Sequence, residues 1–169
     1  MLRFDKLTPT AIVLVVEDAK NVRDSVQQVI EEMGFQVEAA ATEDEAVELA
    51  KRHRPDLLIV NQHEPVRVDL SHPAPTTASR ICARAQLGSD LMMVTHSDAA
   101  LIVEGPDRPP TRFSGGHGIR VWYPRGADPA WRNECFGYTG NREWLKGLLR
   151  HWLEDERPGT HPWWSQWKW

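Results

Sequence analysis

The sequence predicts an α/β fold: an open, doubly wound parallel sheet of five strands with helices on both sides. Three observations carry that expectation. Short, continuous apolar runs alternate with amphipathic helical stripes through the first third of the chain. The alternation returns, weaker, up to a strongly apolar stripe near residue 150. And 169 residues suffice for one domain of ordinary size but not comfortably for two.

Ile12-Val-Leu-Val-Val16 is β-branched without polar alternation, as expected of a parallel strand covered on both faces. Glu17 and Asp18 end it. Val22, Val26, Val29, Ile30 and Met33 then form one helical stripe, and Gly34 stands where a left-handed cap stops it. Phe35, Val37 and Ala39 alternate as a second strand. Thr42 and Glu45 have capping-box spacing and open a helix with Ala46, Leu49 and Ala50 on its apolar face. After Pro55, Leu57–Val60 is a third buried strand. Strand, helix, strand, helix, strand at this spacing is a βαβ series.

The signal then weakens. Pro65, Pro73 and Pro75 make residues 62–75 a loop. Thr76 or Thr77 caps a helix carrying Ile81, Cys82 and Ala85, ended by Gly88. Leu91–Val94 is a fourth strand and Ile119–Tyr123 a fifth. Between them Pro106, Pro109 and Pro110 and the glycines at 105, 115, 116 and 118 break any regular helix, leaving a short helical turn or strand at Ala99–Glu104. Trp144, Leu145, Leu148, Leu149, Trp152 and Leu153 share one helical face, with Asn141 as cap. The expected organisation is an N-terminal extension (1–10), one domain (11–156) with an insertion at about 96–118, and a Trp-rich tail (157–169).

Acidic residues number 24 and basic residues 20, a net charge of −4. Residues 1–65 carry 13 acidic and 7 basic side chains, net −6, and residues 66–169 carry 11 and 13, net +2. Neither part has the dense basic surface that phosphate-backbone binding needs, so nucleic acid is not an expected partner. No apolar run approaches the ~20 residues of a membrane span, no signal segment precedes Ile12, and cytoplasmic localisation is the expectation. Cys82 and Cys135 make neither a disulfide framework nor a four-cysteine zinc site.

In such sheets ligands bind beyond the carboxyl ends of the strands. Those ends carry Glu17 and Asp18, Asn61, Thr95 and Tyr123. An adjacent carboxylate pair suits Mg²⁺, which takes one or two carboxylates and keeps several waters. The same pair also complements a helix dipole. Taken together, Val16-Glu17-Asp18 with Arg23, Gly34–Val37, Ala39–Ala41, Glu45-Ala46, and Pro55-Asp56-Leu57-Leu58-Ile59-Val60-Asn61 followed by Pro65 resemble the response-regulator receiver domain of two-component signalling. The resemblance is continuous over Ile12–Pro65 and thins to single matches afterwards.

It implies a flavodoxin-like, receiver-type sheet of order 2-1-3-4-5 with an irregular fourth crossover. It also implies phosphoryl transfer from a histidine kinase to an aspartate, with Mg²⁺ on the acidic pair and a hydroxyl residue and a lysine on the phosphoryl oxygens. By position, Glu17 and Asp18 match the acidic pair and Thr95 the hydroxyl residue. Asn61 stands in place of the phosphoacceptor aspartate and Tyr123, before Pro124, in place of the lysine. The nucleophile and the cation are the two substituted positions. A neutral amide lacks the charged oxygen that accepts phosphorus, and losing that charge weakens Mg²⁺ at Glu17 and Asp18, so no cofactor is required. Arg120 and Arg125 are candidate replacements for the missing lysine. The resemblance also implies a cis Tyr123-Pro124 bond.

The expected function is a degenerate, stand-alone receiver that is not an enzyme and acts by protein–protein interaction with a histidine kinase or another regulator. Two alternatives stand beside it: a phosphate-responsive switch using another acceptor, Asp18 being nearest, and a small-ligand or metal-binding domain at the acidic corner. His63, His72, His96 and His117 read as solvated loop residues, because no pair has zinc-motif spacing. Gly115-Gly116-His117-Gly118 precedes a strand rather than opening a helix, and reads as a turn rather than a phosphate cradle. Trp163, Trp164, Trp167 and Trp169 in the tail either fold back over their own domain, pair two copies into a homodimer, or meet another protein.

Overall fold

The computed structural model describes residues 11–69, 76–87, 91–97, 99, 101–113, 117–125, 128–138, 145, 146 and 149. The N-terminal extension, His72, Gly88, the Asn141 cap, Trp144, Trp152 and the tail tryptophans Trp163, Trp164, Trp167 and Trp169 lie outside the described residues.

Strand β1 (Ile12–Val16) is covered on both faces, as its unbroken apolar run requires. Val13 and Val15 join Val26, Val29 and Ile30 of helix α1 (Lys20–Glu32), together with Leu145 and Leu149. Leu14 and Val16 join Ala46, Val47 and Ala50 of helix α2 (Glu43–His53) and Ala78 and Ile81 of helix α3 (Thr77–Arg84). The two clusters are the two halves of the core, divided by the sheet.

The turns follow local chemistry. Gly34 takes φ 92°, a value that costs a residue with a Cβ, and Phe35 N–H returns to the Ile30 carbonyl at 3.3 Å. Thr42 Oγ1 accepts from Glu45 N–H at 3.2 Å, and Glu45 reaches back to Ala41 N–H at 2.9 Å. Thr76, of the two candidate threonines, caps α3 in a reciprocal box with Ser79. Asp56 ties strand starts together: its N–H donates to the Ile12 carbonyl at 2.8 Å and its carboxylate accepts from Ile12 N–H at 3.0 Å. Helices α2 and α3 are clamped by Glu43, which accepts from Arg80 (3.0 Å) and Arg84 (2.9 Å). Partial burial pushes the Glu43 carboxyl up, but hydrogen bonds from both guanidiniums outweigh it and hold the group below the usual carboxylate range. Burial of the Cys82 thiol on α3 pushes it up to about 12, which marks an unreactive core thiol.

The main sheet has six strands, in the order β2 (Gln36–Ala40), β1, β3 (Leu57–Gln62), β5 (Met92–Ser97), β8 (His117–Arg125) and β9 (Asp128–Tyr138). The first four are parallel, in the expected 2-1-3-4 order of a flavodoxin-like, receiver-type sheet. The fifth position departs from expectation. β8 occupies it, covering Ile119–Tyr123, but runs antiparallel to β5, and β9 adds a sixth strand antiparallel to β8. The expected all-parallel five-stranded sheet is corrected accordingly.

The physical reason lies in the connection. A parallel neighbour needs a crossover of a dozen or more residues, usually a helix packed on the sheet. Pro106, Pro109, Pro110 and Gly105 deny this segment a helix. It forms instead a hairpin of β6 (Leu101–Gly105) and β7 (Arg108–Phe113), turning at Pro106 and Asp107. The hairpin pairs with β4 (Val66–Asp69), giving a second sheet of order β4-β6-β7. Residues 66–69 are therefore a strand, not part of the expected loop 62–75. Pro109 and Pro110 lie on β7, an edge strand, where a missing N–H is tolerated. No cis peptide occurs among the described residues, so the expected cis Tyr123-Pro124 bond is trans within β8. No helix among the described residues is long and apolar enough to cross a membrane.

Candidate functional site

Strand alternation decides which side chains meet at the carboxyl edge. Odd-numbered residues of β1 and β3 face the α1 cluster and even-numbered ones face α2 and α3. Val16 pairs with Val60, so Glu17 and Asn61 are the next residues on neighbouring strands, on the α1 side. Asn61 pairs in turn with His96, which follows Val94 on the same face. Glu17, Asn61 and His96 form one row across three strands. Thr95 pairs with Val60 on the opposite side. It is buried, and its Oγ1 has no hydrogen-bond partner among the described residues.

Glu17 N–H continues the ladder to the Ala40 carbonyl at 2.9 Å, which fixes the start of the loop. Arg23 on α1 donates to the Glu17 carbonyl at 2.8 Å and to the Asp18 carbonyl at 3.4 Å. The Glu17 side chain is fully buried and that of Asp18 is 74% exposed, so the pair offers one inner and one outer carboxylate. Asn61 Oδ1 lies 3.0 Å from His96 Nδ1, and the amide oxygen accepts when that nitrogen carries the hydrogen. His96 is itself buried.

The loop after β3 supplies a residue that the sequence reading set aside. His63 Nε2 lies 3.2 Å from Glu17 Oε1 and 3.1 Å from Asp18 Oδ1. Its loop is held from two sides: Gln62 Nε2 donates to the Glu64 and Pro65 carbonyls, and Ser97 Oγ on β5 donates to the Glu64 carbonyl at 2.6 Å. One ligand atom each from Glu17, Asp18 and His63 lie within 4.8 Å of one another. That geometry fits a divalent cation. The donors depart from a Mg²⁺ set, because an imidazole nitrogen faces the pair and position 61 offers a neutral amide.

Two expected members are elsewhere. In antiparallel β8, Trp122 pairs with Met93, so Tyr123 lies level with Met92, toward the amino edge of the parallel strands. From the Asn61–His96 level this is about four residues, roughly 13 Å of strand. The resemblance placed Tyr123 at the carboxyl edge because it assumed a parallel fifth strand, and Arg125 recedes further for the same reason. Arg120, paired with Thr95, is the residue of β8 that comes level with the site. His117 and Gly118 open β8, with Gly118 opposite Ser97, so the glycine-rich run leads into a strand as expected.

Against known proteins, residues 13–66 match the family model of the response regulator receiver domain, from β1 to the first residue of β4. Over this segment, about a third of the chain, the sequence is similar to a receiver domain. The match contains the acidic pair, Asn61 and His63, and ends before Thr95 and β8. The main-sheet strands within the matched segment, β1, β2 and β3, all run parallel. No curated protein sequence matches the chain. Among solved structures, HypX from Aquifex aeolicus in complex with tetrahydrofolic acid shares 14% identity at a TM-score of 0.41. That alignment covers 88% of this chain and 27% of HypX, so the chain spans about a quarter of that protein's length.

Proposed function

We propose that this chain is a degenerate receiver that serves phosphorelay-type signalling by protein–protein contact, without forming an acyl phosphate at position 61. The observation that carries the reading is the state of Asn61. It occupies the row between Glu17 and His96, where the receiver family has its acceptor, and presents a neutral amide whose oxygen sits 3.0 Å from His96 Nδ1. A neutral amide oxygen is a poor nucleophile toward phosphorus, and where His96 Nδ1 carries the hydrogen the imidazole also occupies one of its lone pairs. The position of Tyr123 supports the same reading, since antiparallel β8 carries it to the level of Met92, away from the carboxyl edge. Thr95, the proposed hydroxyl partner, lies on the other face of the sheet from Asn61.

A receiver that cannot change state by phosphorylation still presents shaped surfaces to a histidine kinase or another regulator. Here those surfaces differ from a receiver's on one side, because β8, β9 and the β4-β6-β7 sheet replace a parallel fifth strand and its crossover helix. The reading places the protein in the cytoplasm, as a binding protein rather than an enzyme.

Incubation of the full chain with a small-molecule phosphodonor and Mg²⁺, followed by intact-mass measurement, tests the proposal. The expected result is an unchanged mass. A gain of one phosphoryl group, on Asp18 or elsewhere, overturns it in favour of a switch with another acceptor.

A further inference from the structure

We infer that the corner formed by Glu17, Asp18 and His63 binds a borderline divalent transition-metal ion of the Zn²⁺ class in preference to Mg²⁺. The inference rests on the receiver reading only for the expectation of Mg²⁺ at this corner; the ligand set is this chain's own.

The first argument is convergence. One atom, His63 Nε2, approaches an oxygen of each carboxylate, at 3.2 and 3.1 Å. Two ligands bound at about 2.0–2.1 Å to one tetrahedral Zn²⁺ are separated by about 3.3 Å, so these spacings are already close to those of a shared coordination sphere. The three ligands come from two separate segments, the end of β1 and the loop after β3. Gln62 and Ser97 brace that loop through the Glu64 and Pro65 carbonyls.

The second argument is charge. The Glu17 side chain is fully buried, so its carboxylate attracts a cation at the corner with little screening by water. Asp18 brings a second negative charge to the same imidazole nitrogen. A dication at this corner therefore meets two carboxylates, one of them shielded from water.

The third argument is donor type. Oxygen-only sites suit Mg²⁺, while imidazole suits Zn²⁺ and its first-row neighbours, which also bind a given nitrogen- and oxygen-donor site more tightly. The change from aspartate to Asn61 removes a hard anionic donor, and His63 contributes a nitrogen in its place. Asp18 is 74% exposed and His63 46%, so the remaining coordination positions open to water or to an oxygen ligand from a partner.

Calorimetric titration of the full chain with Zn²⁺ and, separately, Mg²⁺ tests the inference in wild type, His63→Ala and Asp18→Asn. Both substituted side chains are substantially exposed, and thermal unfolding verifies that each variant folds. One Zn²⁺ per chain is expected, bound at least a hundredfold more tightly than Mg²⁺. Either substitution is expected to weaken Zn²⁺ at least tenfold, with His63→Ala leaving Mg²⁺ unchanged. Zn²⁺ binding that survives His63→Ala while Asp18→Asn still weakens both ions overturns the inference and leaves the receiver-type corner standing. Binding of both ions that is indifferent to Asp18→Asn overturns the corner as a cation site altogether.

Discussion

Replacing Ile59 with alanine is expected to destabilise the protein by about 2–5 kcal/mol, a large part of the ~5–15 kcal/mol that holds a domain of this size. Ile59 is fully buried at the centre of β3, between β1 and β5. Its side chain faces the cluster that contains Val15, Ile30, Val94, Leu145 and Leu149. Truncation removes three carbons from a site walled by two strands, α1, Leu145 and Leu149. The surroundings close over such a cavity only in part. Urea unfolding measures the loss. Leu149→Ala belongs in the same experiment, because Leu149 is fully buried in that cluster although it lies far along the chain. A comparable cost there is expected if Leu145 and Leu149 seal the α1 side, and a cost under about 0.5 kcal/mol contradicts that packing.

Asn61→Asp is expected to destabilise the cation-free protein and to tighten divalent cation binding. The register puts position 61 beside Glu17 on the neighbouring strand, and adjacent strands are about 4.8 Å apart. Two unit charges at about 5 Å interact by about 3 kcal/mol at an effective dielectric of ~20. Where His96 Nδ1 carries the hydrogen, its contact relieves part of this by donating to the new carboxylate. The expected net loss is therefore about 1–3 kcal/mol, read by urea unfolding in the presence of a chelator. Saturating divalent cation reverses the sign of the repulsion, so the variant regains stability and binds the ion at least tenfold more tightly than wild type. Equal stability and equal affinity in the two proteins contradict the placement of positions 17 and 61 as neighbours.

The segment from β1 to β3 was legible because its signals are local. The unbroken run Ile12–Val16, the Thr42/Glu45 box and the Gly34 stop each act within a few residues, and all three appear as read. Strand direction is not a local property. Alternation with period two is the same whichever way a strand runs, so Ile119–Tyr123 announced a strand without announcing that β8 is antiparallel. The prolines of the insertion ruled out a crossover helix, and that same exclusion implied the reversal. Residues 66–69 and 128–138 carry no clean alternation and are held as strands by the partners beside them.

The site divides in the same way. Glu17, Asp18 and Asn61 follow directly from apolar runs that stop abruptly, and strand pairing brings positions 17 and 61 side by side. His63 and His96 were not distinguishable from solvated loop histidines, because their partners are 45 and 35 residues away in sequence. The available signal was spacing: His63 follows Asn61 by two residues, short enough for the loop to fold back over the acidic pair. Thr95 shows the opposite case. The resemblance makes it the hydroxyl residue by position, and the pairing of Val60 with Thr95 puts it on the other face of the sheet from Asn61.

The central claim is that residues 17, 18, 61 and 63 form one cation-holding corner with a neutral amide in the acceptor's place. Titration with Mn²⁺, which carboxylate and imidazole both ligate, followed by ¹H–¹⁵N NMR, tests it most directly. Paramagnetic broadening is expected first at the backbone amides of residues 16–19 and 61–64. Broadening that begins elsewhere, for example around the exposed His53–Glu38 pair, with these amides unaffected, would contradict the account.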